Sequence, residues 1–522
     1  MISIEDKRII LTTLSPKSHR TAEENLGIEY LKASLEESGY DVLIIDGWLN
    51  EFSVDEVYEK IIANKDILFV GISSYMSNTL PTINLIEKLK KYDESIKIVC
   101  GGFGPTFYPA DYLKSGSDYI IRGEGEIAIV KLAKCIEDDK VPKDINNIGY
   151  IRDNKVVLNS MGCLIDNLDI IPFPKRDTMD VVMKNKSSVN ILTSRGCSGN
   201  CEFCSVISFF RLADGRVWRT RSINNIVDEI EQLYKMGITN IKAVDDSFID
   251  GTRDEKWCKE FADEINRRGI KVRLRGQIRA DKISDSILKD LKRAGFFSFA
   301  CGIENGSKTA LERMNKKATI TDNIKALELL KKYSYIVQMG YILFDLETTM
   351  KELEENYEFL NRFDYTVTKG IFSEMFSAEG TKLNDKLRKE NKLKESNFAL
   401  NNNKYEIEDV MVKKVYEGLK KWHKSHSYIY DMTIDPITAP KSIETSEILK
   451  FYEYAMKLKK LDLMIFKKVL SLVENNPNVD INSYVDECIK DTKNDYSDIS
   501  EEVKKLYKAN CLNYNAAINP FI

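Results

Sequence analysis

The chain has 522 residues, too many for one compact core, so roughly two to four domains are expected. Hydrophobic residues make up 43% and charged residues 30%, a composition typical of globular proteins. The formal net charge of −4 predicts no basic surface that would bind nucleic acid. The sequence has no long apolar run, so neither an export signal nor a membrane span is predicted. We therefore expect a cytoplasmic protein.

The first third of the sequence alternates apolar strands with helices. Strands are expected at 8–13, 41–45, 67–73 and 96–100, with a helix after each of the first three. This alternation predicts a parallel, doubly wound sheet that binds its ligand at the carboxyl ends of the strands. Glycines occur at those ends, where a backbone must turn tightly or approach a ligand closely.

A cysteine motif lies near the middle of the sequence. Cys197, Cys201 and Cys204 follow a C-x3-C-x2-C spacing after an apolar strand at 189–193. Three thiolates can hold three irons of a [4Fe–4S] cluster and leave the fourth open to a chelating substrate. Zinc is not favoured because structural zinc needs four ligands and the histidines are distant in sequence. Disulfides are not favoured because no export signal precedes the thiols.

This motif resembles that of the radical S-adenosylmethionine (SAM) superfamily, whose cluster binds SAM. The segments 100–109 and 118–126 resemble the cobalamin-binding domain of one branch of that superfamily. The resemblance covers about residues 8–385 and implies three cofactors: a [4Fe–4S] cluster, SAM and cobalamin. The residues that it implies for cobalamin binding are Ser73, Ser74, Tyr75, Met76, Gly101, Gly102, Phe103, Thr106, Gly123, Glu124, Gly125 and Glu126.

The lower face of cobalt is expected to lack a histidine. Many cobalamin domains carry a D-x-H-x-x-G motif, but the loop around His19 has neither its Asp nor its Gly, and the radical SAM branch commonly lacks the motif. His19 is therefore not assigned as a ligand. We expect cobalamin bound base-off over the loop 73–77, with Tyr75 or Met76 as the nearest bulky side chain; the open alternative is that both merely pack between helix and sheet.

From Val189 onward, six further strand–helix units resemble the partial (β/α)6 barrel of the superfamily, with active residues at the carboxyl ends of strands. The SAM contacts implied are Asp245, Asp246, Arg279 and Glu304, since carboxylates accept hydrogen bonds from ammonium or hydroxyl groups and arginine pairs with carboxylates. Each acid taken alone would be a helix cap or a surface charge. The segments 340–348 and 378–381 depart from the family pattern, so no SAM contact is assigned there, and no catalytic acid or base is assigned.

The predicted fold class is α/β, with a helical end. We expect a Rossmann-like cobalamin-binding domain at 1–138, a connector at 139–187, a radical SAM partial barrel at 188–385 and a helical, substrate-capping domain at 386–522. The remaining cysteines are scattered, which indicates no auxiliary cluster.

The resemblance implies that SAM is cleaved reductively to a 5′-deoxyadenosyl radical and that a methyl group is placed on an unactivated carbon of a small molecule. A flavodoxin- or ferredoxin-type donor would supply the electron. A radical rearrangement or oxidation without methyl transfer stays open. A non-catalytic cobalamin or redox sensor is a third reading, disfavoured because a sensor has no need of Asp245, Asp246 and Glu304. Substrate and oligomeric state are not determined by the sequence.

Overall fold

The computed structural model describes residues 7–16, 23–368, 371–394 and 403–512. Strands alternate with helices up to residue 368, and the remainder of the described chain is helical. None of the described helices is both long enough and apolar enough to cross a bilayer.

The amino-terminal part of the described chain forms one seven-stranded sheet, with strands β1 (Arg8–Thr13), β2 (Asp41–Asp46), β3 (Ile67–Ser73), β4 (Ile98–Gly101), β5 (Tyr119–Ile121), β6 (Ile148–Arg152) and β7 (Lys155–Leu158). Its helices are α1 (Leu26–Glu37), α2 (Val54–Ile62), α3 (Thr79–Tyr92), α4 (Phe103–Phe107), α5 (Pro109–Lys114) and α6 (Glu126–Glu137). The strand order is β2–β1–β3–β4–β5–β6–β7, and the first five strands are parallel. Because helices cover both faces, β1 and β3 are buried at nearly every position.

The sheet extends beyond the residue range predicted for this domain. Strands β6 and β7, in the predicted connector, form an antiparallel hairpin that pairs with β5. The physical reason is that an uncovered β5 would leave an edge of unpaired backbone groups, which the hairpin satisfies.

The second sheet is the six-stranded, all-parallel partial barrel, in the order β15–β14–β13–β12–β11–β8. Its strands are β8 (Val189–Ile191), β11 (Asn240–Ala243), β12 (Arg273–Arg279), β13 (Phe296–Glu304), β14 (Ile336–Tyr341) and β15 (Val367–Thr368). A short antiparallel ribbon, β9 (Ser194–Arg195) and β10 (Arg219–Thr220), follows β8. The helices of this part are α7 (Met179–Lys184), α8 (Ser205–Phe210), α9 (Ile223–Lys235), α10 (Glu255–Arg267), α11 (Asp285–Arg293), α12 (Lys308–Arg313), α13 (Ile320–Lys332) and α14 (Met350–Arg362). The predicted fold class is confirmed.

The carboxy-terminal part is helical, as predicted, with α15 (Lys382–Lys389), α16 (Val410–Thr438), α17 (Thr445–Asn475), α18 (Ile481–Asp491) and α19 (Lys493–Ala509). One continuous hydrophobic core joins α16, α17, α18 and α19 to the barrel. The segment after α16 binds the starts of two barrel strands: Asn240 donates to the carbonyl of Pro440, and Arg273 donates to that of Ile443 at 2.7 Å. The helices therefore close the amino-terminal end of the barrel.

Candidate functional site

A cavity of about 560 Å³ lies between the carboxyl ends of the two parallel sheets. Its first wall comes from the amino-terminal sheet and contains ten of the residues discussed here: Ser73, Tyr75, Gly101, Gly102, Phe103, Gly123, Glu124, Gly125, Glu126 and Trp48. Its second wall comes from the barrel and contains Asn190, Leu192, Arg195, Phe209, Phe210, Val244 and Asp246. No described residue after Asp246 lines the cavity, so the described carboxy-terminal helices do not contribute to its walls.

The cysteine loop begins directly after β9, beside this cavity. Gly196 has a φ of +83°, and a Cβ there would lie 2.0 Å from the carbonyl oxygen of Val217, so glycine is required. Two barrel carboxylates hold the loop: Asp246 accepts the Gly196 N–H at 2.9 Å, and Asp250 accepts the Ser198 N–H at 2.9 Å. The loop conformation is therefore fixed by the barrel itself.

The three cysteines of the motif are free and partly accessible. Burial raises the pKa of each thiol, that of Cys204 to about 11, so binding a metal as thiolates must release protons. Across the described ranges, no three His, Cys, Asp or Glu side chains are grouped to hold a single metal ion. A [4Fe–4S] cluster does not need such a group, because each thiolate binds a different iron.

Two buried cations flank the thiols. Arg279 pairs with Asp281 through Nε and Nη2, at 3.0 and 2.7 Å, and its Nη1 lies 3.6 Å from the Cys197 sulfur. Lys316, which no sequence pattern indicated, pairs with Glu304 at 2.9 Å. Glu304 has a φ of +66°, the left-handed conformation that non-glycine residues adopt mainly at constrained sites.

The two predicted aspartates differ. Asp245 is fully buried and accepts hydrogen bonds from the backbone N–H of Thr193 at 2.7 Å, from the Ser194 hydroxyl at 2.7 Å and from Arg253 at 3.2 Å. Its carboxylate fixes the strand that leads into the cysteine loop, and it does not line the cavity. Asp246 does line the cavity, and burial raises its pKa to about 6.

Of the loop 73–77, Tyr75 reaches the cavity and Met76 does not line it. The Tyr75 ring lies edge-on to Trp48, with centroids 5.8 Å apart, and parallel to Phe103 at 6.5 Å. Ser74 is instead buried in a polar network, with its hydroxyl 2.7 Å from that of Tyr112.

Thr106 also lies behind the cavity wall. Its hydroxyl donates to the Gly102 carbonyl at 2.6 Å and accepts the Gly123 N–H at 3.1 Å, so it ties two glycine loops together. Gly102 has a φ of +98°, and a Cβ there would lie 2.7 Å from the Ser74 carbonyl oxygen. Ser74 and Thr106 thus shape the wall from behind.

A buried ion-pair cluster joins the two domains at the cavity. Arg195, two residues before Cys197, donates to Glu124 at 2.9 Å and to Glu126. Arg219 donates to both Glu124 oxygens at 2.9 Å. All four side chains are at most 11% exposed. Glu124 and Glu126, the carboxylates predicted to contact cobalamin, therefore form ion pairs that hold β9, the strand that leads into the cysteine loop.

Two family models match the sequence: the B12 binding domain over residues 19–133 and the radical SAM superfamily over residues 191–360. The chain belongs to the cobalamin-dependent radical SAM enzymes. An uncharacterized methyltransferase of Pyrococcus horikoshii is 29% identical over 364 residues, which are 69% of this chain and 75% of that protein. Anaerobic magnesium-protoporphyrin IX monomethyl ester cyclase of Rubrivivax gelatinosus is 28% identical over 380 residues, 68% of this chain and 66% of that protein.

The fold is shared with a solved member of this group. The cobalamin-dependent SAM radical enzyme OxsB, with aqua-cobalamin bound, aligns over 99% of this chain and 84% of its own with a TM-score of 0.75 and 18% identity. The predicted family and enzyme class are confirmed, and the cofactors of the two matched families are those predicted: cobalamin, SAM and a [4Fe–4S] cluster.

The residues present fit the cofactors of a cobalamin-dependent radical SAM enzyme. Three free thiols share one loop, and the cavity beside it has glycines on its sheet side. Two buried acceptors at the cavity, Glu126 Oε2 and Asn190 Oδ1, have no hydrogen-bond partner in the described structure. Orphaned buried acceptors are costly unless a ligand satisfies them.

Two further predictions concern His19 and the segment 340–348. His19 lies outside the described residues. The segment 340–348, which departs from the family pattern, ends in a turn that contains Asp345. The Asp345 carboxylate accepts a hydrogen bond from Arg313 at 3.0 Å, and the Asp345 backbone N–H donates to the Thr348 hydroxyl at 2.8 Å. Side-chain hydrogen bonds thus hold this turn, and the turn does not line the cavity.

Proposed function

We propose that this enzyme transfers a methyl group from SAM, by way of cobalamin, to an unactivated carbon of a small molecule. The observation that carries the proposal is a cavity shared by the two domains, one wall of which bears the glycine loops while the other leads into the cysteine loop. When bound, the cluster, SAM and cobalamin supply reductive SAM cleavage and a transferable methyl group.

The roles of the chain's own residues follow from their positions. Cys197, Cys201 and Cys204 would hold the cluster. Asp246, at the cavity wall, would accept a hydrogen bond from the SAM ammonium, and Glu304 would accept one from a ribose hydroxyl. Arg279, whose guanidinium lies 3.6 Å from the Cys197 sulfur, would contact SAM beside the cluster.

Aromatic side chains form part of the cavity wall. Phe103 and Phe209 stack across the domain junction with centroids 4.4 Å apart, and Tyr75 continues this aromatic wall. A low-polarity cavity protects a reactive carbon radical from quenching by solvent. A flavodoxin- or ferredoxin-type donor would supply electrons, and a reducing cytoplasm would keep the thiols free.

The experiment uses SAM with a deuterated methyl group. The reconstituted enzyme should transfer the label to its product, detected by mass spectrometry. Turnover without label in the product would instead favour the second candidate, a rearrangement or oxidation, which the likeness to the cyclase of Rubrivivax gelatinosus keeps open.

A sensor without catalysis is tested separately. Replacing the three motif cysteines with alanine should abolish both the iron signal and the formation of 5′-deoxyadenosine. A control replaces Cys258, which is buried in the barrel core outside the motif, with serine. If SAM cleavage by the native enzyme never exceeds that of the triple variant, the result supports the hypothesis of a non-catalytic sensor.

A further inference from the structure

The interior of the barrel is accessible above a polar layer. Gln277 on β12 is exposed, and Ala300 and Gln338 on the next two strands are partly accessible. Their neighbours Ile278 and Phe299 are buried in the core, because they face the helices. Side chains of a parallel strand alternate between its two faces, so the accessible set faces the inside. An exposed side chain there requires open space within the barrel.

The floor of this space is a layer of polar residues in register. Asn190, Lys242, Arg275 and Ser298 are direct neighbours on the adjacent strands β8, β11, β12 and β13. Asn190 also lines the cofactor cavity. The layer therefore extends from the cofactor cavity into the barrel.

Arg275 is a buried cation without a carboxylate partner. It is 3% exposed, and it donates to the Ser298 hydroxyl at 3.3 Å and to the side-chain oxygen of Gln338. No Asp or Glu of the described chain lies within ion-pair distance of it, unlike Lys242, which pairs with Glu23 at 2.7 Å. A buried charge is costly unless it is paired.

The neighbouring charges leave Arg275 uncompensated. Burial lowers its pKa to about 10, so it stays protonated at neutral pH. Glu23 is the one carboxylate whose field opposes this shift, and it is already engaged by Lys242. The negative charges of Asp435 and Glu23 also oppose the lowering of the Lys441 pKa by burial.

A second observation at the same layer points to a ligand. The side-chain oxygen of Asn190 is buried without any hydrogen-bond partner among the described residues, while its amide N–H₂ donates to the Glu24 carbonyl at 3.0 Å. The floor thus offers one free acceptor, two strands away from a cation without a carboxylate partner, as a polar small molecule that spans the barrel would require.

We propose that Arg275 binds a carboxylate or phosphate group of the substrate within the barrel. This rests on the proposed function, because it assigns the substrate of that reaction to an anionic class. A planar guanidinium suits both anions, since it donates two parallel hydrogen bonds. The competing role is structural: Arg275 would only link β12 to β13 and β14 through Ser298 and Gln338.

The test is anion binding to the holoenzyme loaded with cobalamin, cluster and SAM. Inorganic phosphate and acetate are titrated in separate arms by calorimetry, with acetamide as the neutral counterpart. The native enzyme should bind one of the anions and not acetamide, and the preferred anion identifies the group. Arg275→Gln should weaken that affinity at least tenfold, and Arg275→Lys should restore part of it, because lysine keeps the charge.

Arg273→Gln is the matched control. Arg273 lies on the same strand but donates to the Ile443 carbonyl at the closed end of the barrel, so its loss should leave the anion affinity unchanged. Equal affinities of the native enzyme and Arg275→Gln would overturn the proposal, as would no binding of either anion.

If Arg275→Gln does not fold, crystals of the native holoenzyme soaked in bromide decide. An anomalous peak beside the Arg275 guanidinium is expected, and its absence would refute the assignment. The proposed function fails independently: anion binding by a protein that transfers no label would refute only the methylation, and label transfer without anion binding only the role of Arg275.

Discussion

At the scale of single residues, Tyr75 is the bulky side chain of its loop that faces the cofactor cavity. A phenol fills space without offering a strong bond to cobalt, whereas an imidazole nitrogen is a good metal ligand. Tyr75→His should therefore introduce nitrogen superhyperfine splitting into the electron paramagnetic resonance spectrum of the cob(II)alamin form, and the spectrum of the native enzyme should lack this splitting.

Met76→His is the control, because Met76 does not line the cavity, and its spectrum should match the native one. Identical spectra for Tyr75→His and the native enzyme would place cobalt elsewhere. Nitrogen splitting in the native spectrum would contradict the absence of a histidine ligand, and His19→Ala would then identify its source.

Lys459 is a buried amine in α17 whose Nζ donates to the Phe363 carbonyl at 2.7 Å and to the Thr366 hydroxyl at 2.9 Å. Burial lowers its pKa from 10.5 to about 7. Between these values the unfolded chain binds more protons than the folded one, so Lys459 makes the free energy of unfolding increase as the pH rises from about 7 to about 10.

Lys459→Met should remove this contribution to the pH dependence, measured by urea denaturation at several pH values across that window. Lys460→Met, a change at the exposed neighbouring residue, should retain it. A native enzyme whose pH dependence in this window equals that of Lys459→Met would show that the amine is charged in the folded state.

At the scale of elements, the Gly-Glu-Gly-Glu loop before α6 is fastened to the strand of the cysteine motif by Arg195. Glu124→Gln leaves Arg219 and Arg195 buried with less negative charge. Breaking a buried pair in this way costs about 3–5 kcal/mol. We expect a lower midpoint of thermal unfolding and faster loss of bound cobalamin, measured by its visible absorbance after gel filtration.

Glu94→Gln provides the comparison, because Glu94 is an exposed carboxylate in the same domain whose side chain has no ion pair in the described structure. It should change neither quantity. Unchanged cobalamin retention in Glu124→Gln would mean that the ion-pair cluster does not hold the two walls of the cavity together.

At the scale of the whole molecule, the barrel and the carboxy-terminal helices share one hydrophobic core. Trp422 is fully buried in it, and its Nε1–H donates to Asp462 at 2.9 Å. Trp422→Ala should cost about 3–5 kcal/mol. Because the core is continuous, the barrel should unfold together with the helices, so the visible absorbance of the cluster and the far-UV circular dichroism should be lost at the same lowered temperature.

Tyr428→Ala, which removes a largely exposed aromatic ring from the same helix, should leave both transitions in place. A Trp422→Ala variant that loses helical signal while keeping its cluster at the native temperature would show that the two parts unfold separately.

The sequence by itself determined the order of elements, the cysteine loop and the two cofactor-binding halves. These depend on patterns local to the chain: the alternation of apolar strands with helices, the spacing of three thiols, and glycines at strand ends. The same locality let the glycine loops and Tyr75 be placed at one wall of the cavity, and Asp246 at the other.

Only the tertiary structure decided how acidic and basic residues distant in sequence are used. Asp245 and Asp246 are neighbours with the same chemistry, yet the first is taken by Thr193, Ser194 and Arg253 while the second faces the cavity. Successive residues leaving a strand point to opposite faces, and the partners that meet each face come from distant segments. For the same reason the pairing of Glu124 with Arg195 and the unpaired charge of Arg275 follow from packing between elements, which residue spacing does not encode.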